Sequence, residues 1–293
     1  MSDASLLILL STLSTGLIMG AIFALVAAGV TIVYGCVWLP NASNGQFFLA
    51  AALVAWTLTS SFGWNSWWAT LAVLALGVVV AYALEWVLIR RLYDTPNRNV
   101  AYFVVTLGMT QIMSGLFSLT YAKWSDQFSL PPLITGLTMV GPMPIPNNRL
   151  LLMVMSLATL ALLFALLRYH PYGRALRAVF QNREAAALRG VNVRAIYKLS
   201  FVLGSTIIFL GGLFFALAYS FDLTIAWTMS ITAFAIMIIG GPGSVLGAVV
   251  VGMTFGFTQA IVSIFASPTA ATFSYLGAML IILLFKPNGL FKR

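Results

Sequence analysis

Residues 201–220 read FVLGSTIIFLGGLFFALAYS, twenty consecutive positions without a charged side chain. A helix of about 20 apolar residues crosses the roughly 30 Å hydrocarbon core of a bilayer. Comparable runs recur at residues 5–36, 45–62, 66–89, 100–121, 149–168, 198–220, 226–241, 245–266 and 272–286. The sequence therefore predicts an all-α, polytopic membrane protein with about eight to ten transmembrane helices. The first run is long and contains Gly16, Gly20 and Gly29, and the seventh is short, so broken or re-entrant segments are expected.

Composition excludes most other classes of protein. Charged residues make up 7% of the chain, against about 25% in a typical soluble domain, and the mean hydropathy is +1.01. No hydrophilic stretch is long enough for a separate domain, so residues 1–293 are expected to form a single transmembrane domain. One cysteine, Cys36, and one histidine, His170, exclude an internal disulfide and argue against a metal site. No Lys or Arg precedes Arg90, so no cleavable signal peptide is expected.

The basic residues indicate the orientation in the membrane rather than nucleic-acid binding, because they lie in the short gaps between apolar runs. The gap at 168–198 is the most basic, and the gap at 90–98 and the C-terminus are basic too; all three are expected on the cytoplasmic side. Their basic residues are Arg90, Arg91, Arg98, Arg168, Arg174, Arg177, Arg183, Arg189, Arg194, Lys198, Lys286, Lys292 and Arg293. The gap at 122–148 has only Lys123 and Asp126 and is rich in proline, so we expect an extracytoplasmic loop. Nine crossings would place the N-terminus outside.

Two polar turns interrupt the apolar sequence in corresponding positions of the two halves. The first is Pro40-Asn41-Ala42-Ser43-Asn44-Gly45-Gln46 and the second is Gly240-Gly241-Pro242-Gly243-Ser244. Paired interruptions of this kind are typical of transport sites built from broken helices. No nucleophile elbow, HExxH motif or paired carboxylates are present, and the stretch 240–247 lacks the lysine of a phosphate-binding loop. The chain is therefore not expected to be an enzyme.

The basic loop at 169–197 contains a second type of signal. Residues 174–189 are good helix formers with a face of small residues, and Gly190 suits the position that ends a helix. A short helix there predicts docking of a soluble partner. The alternative is an ordinary solvated loop on the cytoplasmic side, which composition alone favours.

Several motifs in sequence order resemble one family of transporters. Glu184-Ala185-Ala186 followed by Gly190 is similar to the coupling loop of bacterial ABC importer permeases. The whole loop from Gly173 to Asn192 resembles that of the branched-chain amino acid permease family. Three further stretches resemble the same family: Gly20-Ala21-Ile22-Phe23-Ala24-Leu25 with Gly29 and Val33-Tyr34-Gly35; Gly240-Gly241-Pro242-Gly243-Ser244 with Gly247-Ala248; and Lys286-Pro287-Asn288-Gly289-Leu290-Phe291. The resemblance runs the full length of the chain.

The resemblance implies a set of partners. Such importers consist of two permease chains, two cytoplasmic ATPase subunits and a periplasmic substrate-binding protein in the bacterial inner membrane. This chain would be one permease, paired with a second homologous permease and surrounded by lipid. ATP and Mg²⁺ would bind to the ATPase subunits, and this chain would bind no cofactor. The residues implied in coupling to the ATPase are Arg174, Arg177, Glu184, Ala185, Ala186 and Gly190.

One turn departs from the family pattern. The stretch Asn41-Ala42-Ser43-Asn44-Gly45-Gln46-Phe47 carries neutral amides at Asn44 and Gln46, where the family commonly has a histidine and an acid. Asn44 has two interpretations: a capping residue for a helix beginning at Phe47, or a residue that contacts the transported solute. The change leaves the substrate open among branched-chain amino acids, urea, short amides and small carboxylates, including aromatic ones.

Polar residues inside the apolar runs are candidates for the transport pathway. Gln111 and Gln259 are favoured because a buried amide needs a partner, whereas Ser and Thr often bond to their own helix. Glu85, the one acid within a predicted span, is expected to pair with Arg90 and Arg91 at the interface. A secondary transporter or a channel is the alternative class, but neither explains the coupling-type loop. The candidates are Asn41, Asn44, Gln46, Thr106, Gln111, Ser114, Thr228, Ser230, Thr232 and Gln259.

Overall fold

The computed structural model describes residues 3–37, 41–93, 95, 97–124, 126–140 and 143–291. Pro40, Pro142, Lys292 and Arg293, which carried part of the turn and topology predictions, lie outside them. The nine apolar runs each form a helix, since only a helix satisfies its own backbone hydrogen bonds in lipid. These helices are α1 (Asp3–Val37), α2 (Asn44–Trp56), α3 (Ser66–Leu84), α4 (Arg98–Tyr121), α5 (Asn147–Tyr169), α8 (Val193–Ala218), α9 (Ile225–Gly240), α10 (Val245–Phe265) and α11 (Pro268–Phe285). Two short helices, α6 (Pro171–Gln181) and α7 (Arg183–Leu188), occupy the basic loop.

The all-α polytopic class is confirmed. Within the described residues, six helices are long and apolar enough to span a membrane, and two shorter apolar helices cover Ile225–Gly240 and Ala270–Phe285. The short seventh run is a helix of 16 residues, which is about 24 Å at 1.5 Å per residue and shorter than the bilayer core. The long first run is continuous, so the prediction that its glycines could break it is wrong. Short π-helical turns, Thr57–Ser61 and Glu85–Ile89, continue α2 and α3.

The centre of the bundle is formed by α1 and α8. In their most apolar windows 89% and 78% of the residues are buried, against 28% for α3 and 22% for α4. Helix α1 packs along α10 and α8. The α1–α10 crossing depends on small residues, because a Cβ on Gly252 would lie 2.6 Å from the Cα of Ala24, and one on Gly256 would overlap the backbone of Gly20. The GxxxG spacings Gly16/Gly20 and Gly252/Gly256 therefore allow the two helices to approach closely.

The bundle has two chemically different ends. The end that carries α6 and α7 is called the basic end here, and the opposite end is called the loop end. A small antiparallel hairpin, β1 (Leu137–Val140) and β2 (Met143–Pro146), forms part of the loop at 122–148. The loop is held by paired backbone hydrogen bonds between Phe128 and Phe221, whose rings stack with centroids 5.5 Å apart, and by Trp56 against Phe128.

Candidate functional site

The first interruption forms a buried polar turn between α1 and α2. Asn41, Ser43, Asn44 and Gln46 are each at most 3% exposed. Asn41 Oδ1 accepts hydrogen bonds from the backbone N–H of Ser43 at 3.0 Å and from its hydroxyl at 2.6 Å. This side chain therefore shapes the turn, in the way that Asn commonly stabilises a turn two residues ahead.

Backbone N–H groups at the N-terminus of α2 and just before it donate to hydroxyl groups of other helices. The N–H of Gly45 donates to Ser230 Oγ of α9 at 2.9 Å, and the N–H of Ala42 donates to Thr106 Oγ1 of α4 at 3.3 Å. The helix begins at Asn44, and the side chain of Ser43 at the N-cap makes no capping bond. The interpretation of Asn44 as the capping residue of a helix beginning at Phe47 is therefore wrong. Hydroxyl groups on α4 and α9 satisfy the backbone donors instead.

The amides of the turn have hydrogen-bonding groups to spare. Four side-chain atoms are buried without a hydrogen-bond partner among the described residues: Asn41 Nδ2, both polar atoms of Asn44, and Gln46 Oε1. Most buried polar atoms are hydrogen-bonded, so a cluster of four exceptions needs a water molecule, a solute or a conformational change to explain it. The N-terminal end of the α2 helix dipole, which is equivalent to roughly +0.5 elementary charge, points into the same turn.

The turn lies well inside the membrane. Thr106 is eight residues after the start of α4 at the basic end, and Ser230 is ten residues before α9 ends at Gly240. At 1.5 Å per residue the turn is about 12–15 Å from the basic end, near the middle of a core of roughly 30 Å. Close packing fixes it there: a Cβ on Gly45 would lie 2.6 Å from Ser230 Oγ and would overlap the carbonyl of Ala226.

The other predicted pathway residues are only partly brought together. Thr106 and Ser230 join Asn41, Asn44 and Gln46 at the turn. Gln111 lies on the exposed face of α4, and Gln259 lies on α10 toward the loop end. Ser114 and Thr228 are half-buried, and Thr232 is buried in α9.

Glu85 does not pair with Arg90 or Arg91. It is 1% exposed in the π-helical turn after α3, and its Oε1 accepts a hydrogen bond from the Tyr93 hydroxyl at 3.2 Å. Its Oε2 is buried, and no described residue forms a hydrogen bond with it. Both arginines are exposed. The prediction of an interfacial ion pair is wrong, because the carboxyl lies inside the bundle against Tyr93 instead of at the surface with the arginines.

The basic loop folds into two helices rather than one helix over 174–189. Asn182 adopts an extended conformation (φ −157°, ψ 109°) and its Oδ1 accepts from the N–H groups of Glu184 and Ala185, both at 3.0 Å. The break arises because this cap satisfies amides that a continuous helix would otherwise use. Gly190 ends α7 at φ +83°, and Val191 N–H donates to the carbonyl of Ala186. The predicted helix-ending role of Gly190 is met by a Schellman motif.

The residues implied in coupling lie mainly on the outer surface of these helices. Arg174, Glu184 and Ala185 are exposed. Ala186, also in α7, is buried. Arg177 donates to the carbonyl of Leu167 at the end of α5. Glu184 lies 4.0 Å from Arg183 in a solvent-exposed pair, which contributes little to stability. His170, expected as a loop residue, accepts from Tyr172 N–H at the start of α6.

The second interruption is a tight glycine turn at the basic end. Gly241 and Gly243 have φ values of +97° and +84°, a region that favours glycine. Gly240 packs against Gly247, where a Cβ would lie 2.6 Å from a backbone carbon. Ser244 caps α10 by accepting from Gly247 N–H, and Pro242 completes the turn. The C-terminal segment returns to this turn, since Leu290 N–H donates to the carbonyl of Ile239 at 2.8 Å.

Helix α6 touches this glycine turn and the end of α1 together. A Cβ on Gly35 would lie 2.7 Å from the ring of Phe180 and 3.0 Å from the Cα of Gly243. The three elements and Phe291 surround a groove of about 560 Å³. Phe180 was not singled out from the sequence. The available signal was its position in an amphipathic helix, one residue after the buried Val179.

A second cleft, of about 610 Å³, opens at the loop end. It contains Arg149 at the start of α5, together with Tyr219 and Gln259. The Arg149 guanidinium lies 4.8 Å from the centroid of the Tyr219 ring, and its Nε–H donates to the carbonyl of Ala218 at 3.2 Å. Burial raises the pKa of Tyr219 above its ordinary value, and the charge of Arg149 partly opposes this rise. Arg149 was not singled out from the sequence because it begins an apolar run.

These features define a multi-pass helical membrane protein with two helix-breaking turns and an ordered pair of helices at its basic end. The chain belongs to the family described as branched-chain amino acid transport system / permease component, whose family model matches residues 12–284. It is 26% identical over 297 residues to the high-affinity branched-chain amino acid transport system permease protein LivH of Escherichia coli K12, with 97% of this chain and 96% of the relative covered.

Other relatives agree in length and description. LivH of Salmonella typhimurium is 26% identical over 297 residues, and the permease protein BraD of Pseudomonas aeruginosa is 26% identical over 299; each alignment covers 97% of this chain and 96% of the relative. No solved structure shows a significant match. The relatives are permease components of transport systems, not enzymes.

Proposed function

We propose that the chain is one transmembrane permease subunit of a binding-protein-dependent ABC importer. The observation that carries this function is the contact of Phe180 in α6 with Gly35 of α1 and Gly243 of the glycine turn. A force applied to α6 from the basic end would reach the central helix of the bundle and the N-terminus of α10 directly. To transmit such a force, a packed element must be able to adopt two arrangements, and α6 would be that element.

The other subunits supply the energy in this proposal. Two ATPase subunits, which bind ATP and Mg²⁺, dock on α6 and α7 through the exposed face that includes Arg174, Glu184 and Ala185. Their closure displaces α6 and changes which end of the pathway is open. A second homologous permease forms the other wall, and a periplasmic binding protein delivers solute at the loop end.

The orientation follows from the distribution of basic residues. The basic end carries α6 and α7, and it faces the cytoplasm under the positive-inside rule. The C-terminal segment, docked on the glycine turn at the same end, is then cytoplasmic as well. We place the chain in the bacterial inner membrane, with the loop at 122–148 in the periplasm.

The substrate proposed is a branched-chain amino acid. The relatives are described as transporting this class at high affinity. Asn41, Asn44, Gln46 and Thr106 would form the polar part of the pathway near mid-membrane, where unpartnered amides can hydrogen-bond a solute in passage. Gln111 and Gln259 would line it further along. Urea, short amides and small carboxylates are the other solutes to compare.

Co-purification and transport test this function together. The tagged chain, extracted in mild detergent from its native host, should carry ATPase subunits and a second permease. In liposomes the complex should accumulate leucine only with ATP and the binding protein. Glu184→Ala and Gly190→Ala should reduce the ATPase subunits retained, whereas Lys123→Gln, a substitution at the loop end, should not. Transport by the chain alone would instead indicate a secondary transporter or a channel.

A further inference from the structure

The cleft at the loop end has the size and the polar groups of a small-molecule site. Its volume of about 610 Å³ is within the roughly 300–1,000 Å³ usual for such sites. Its walls come from α1, α8, α10, the start of α5 and the loop, so five separate parts of the chain converge on it. Its polar side chains are Thr15, Ser129, Arg149, Tyr219, Ser220, Gln259 and Ser263.

Arg149 makes the cleft suitable for an anion. Its Nε–H is used by the carbonyl of Ala218 and its face lies on the ring of Tyr219, which together fix the plane of the guanidinium. Among the described residues no carboxylate pairs with it, the one ion pair there being Arg183–Glu184. A guanidinium held in one plane presents its remaining N–H groups as a fork that matches a carboxylate.

Two neighbouring groups can add hydrogen bonds to the same ligand. The hydroxyl of Tyr219 is buried and has no hydrogen-bond partner in the part of the chain that the structure describes. The hydroxyl of Tyr275 donates to Gln259 Oε1, which leaves the Nε2 donors of Gln259 for another acceptor. The cleft thus combines one fixed cation with neutral donors, and a carboxylate can form charge-assisted hydrogen bonds with Arg149 that an uncharged analogue cannot.

We propose that this cleft is the receiving site for the carboxylate of the incoming solute, with Arg149 as its carboxylate ligand. The inference rests on the proposed importer function and names the chemistry of its substrate: a small monocarboxylate such as an α-amino acid, not urea or an amide. After release from the binding protein, the solute would first contact this cleft at the loop end and would then reach the polar turn near mid-membrane.

Site-resolved chemical modification tests the binding step without requiring transport. The purified complex is treated with phenylglyoxal, which modifies arginine, and the extent of reaction at Arg149 is read by mass spectrometry. Leucine should slow modification of Arg149 several-fold, while leucinamide, which lacks the carboxylate, should not. The rate at Arg98, at the basic end, serves as the internal control and should not change. Equal rates at Arg149 with leucine and leucinamide would overturn the inference.

Uptake measurements separate this inference from the importer function. Arg149→Gln should lower kcat/KM for leucine by about tenfold or more, the usual cost of losing a charge-assisted hydrogen bond, and Arg149→Lys should recover part of it. Lys123→Gln, which removes a charge from the same end outside the cleft, should have no effect. ATP-driven uptake of leucine that is unchanged in Arg149→Gln, or uptake of only uncharged solutes by the unmodified chain, would reject the carboxylate site and leave the importer function standing. Failure of the unmodified complex to take up any solute, with leucine still protecting Arg149, would reject the importer function alone.

Discussion

Phe180 of α6 lies against Gly35 near the end of α1, so closely that a Cβ on Gly35 would come within 2.7 Å of the ring. The same Cβ would lie 3.0 Å from the Cα of Gly243. A helix from the basic loop, the central helix of the bundle and the glycine turn before α10 therefore meet at one point. This contact is a direct physical route from the proposed ATPase docking surface into the bundle.

Phe180→Ala should uncouple transport from ATP hydrolysis. The substitution removes the ring that joins α6 to Gly35 while leaving the buried face of α6, at Leu176 and Val179, in place. Substitutions along coupling elements change coupling by about 0.5–2 kcal/mol, so uptake per ATP hydrolysed should fall roughly two- to thirtyfold. Leu162→Ala, which also shortens a large apolar side chain but at an exposed position of α5 outside the proposed docking surface, is the control for general disturbance of the bundle. The proposed route fails if uptake and hydrolysis fall in the same proportion in Phe180→Ala.

Gly45→Ala should destabilise the folded bundle strongly. A Cβ there would overlap the carbonyl of Ala226, a backbone atom that cannot move away without shifting α9. Overpacking of this kind costs about 1–3 kcal/mol or more. Ser230→Ala, which only leaves the Gly45 N–H without its acceptor, should cost about 1–3 kcal/mol. Thermal unfolding of the purified chain in detergent measures both.

Gly115→Ala is the matched control for that measurement. No atom lies within 4 Å of a Cβ at Gly115, which occupies an exposed position in α4. The midpoint of unfolding should stay the same or rise, because Ala is favoured over Gly in a helix by about 1 kcal/mol. A loss in Gly115→Ala as large as that in Gly45→Ala would contradict the packing explanation.

Asn41→Ala and Asn44→Ala should separate folding from transport. Asn41 Oδ1 accepts two hydrogen bonds that shape the turn, so Asn41→Ala should lower the midpoint of unfolding, with a loss of about 1–3 kcal/mol. Asn44 is buried with both polar atoms unpartnered, so Asn44→Ala should cost little stability. A raised KM for uptake in Asn44→Ala, at unchanged stability, would place this amide on the pathway. Unchanged stability in Asn41→Ala would contradict the role assigned to its side chain.

The helices were predictable from the sequence for a physical reason. In lipid an apolar run of spanning length has no alternative to a helix, so length and apolarity were enough to predict nine helices. The helix-ending role of Gly190 was predictable too, because a glycine with positive φ acts within its own turn. Structural features that depend only on residues close in sequence could therefore be predicted.

The partners of the polar turn could not be anticipated. The hydroxyls that accept from the backbone of this turn belong to Thr106 and Ser230, which are separated from their donors by 64 and 185 residues. The break at Asn182 was missed because the residues on both sides favour helix, and only the side-chain cap decides between one helix and two. Arg149 was missed at the edge of an apolar run, although it is one of few cations outside the basic gaps.

Glu85→Gln should leave ATP-driven uptake within about twofold of the original chain. Glu85 is the buried carboxyl that an ion-coupled transporter would need, but Tyr93 already donates to one of its oxygens and glutamine keeps that acceptor. One oxygen of this buried carboxyl has no partner among the described residues, and glutamine has the same shape without a charge. Glu85→Gln should therefore leave the midpoint of unfolding unchanged or raise it, because a buried charge is costly to desolvate. Glu85→Leu, which removes the acceptor of the Tyr93 hydroxyl, should lower it. Uptake in proteoliposomes, with and without a protonophore, measures the functional side. If Glu85→Gln and the protonophore each abolished uptake, the solute would be carried by coupling to protons at Glu85, and the role proposed for α6 and α7 would be wrong.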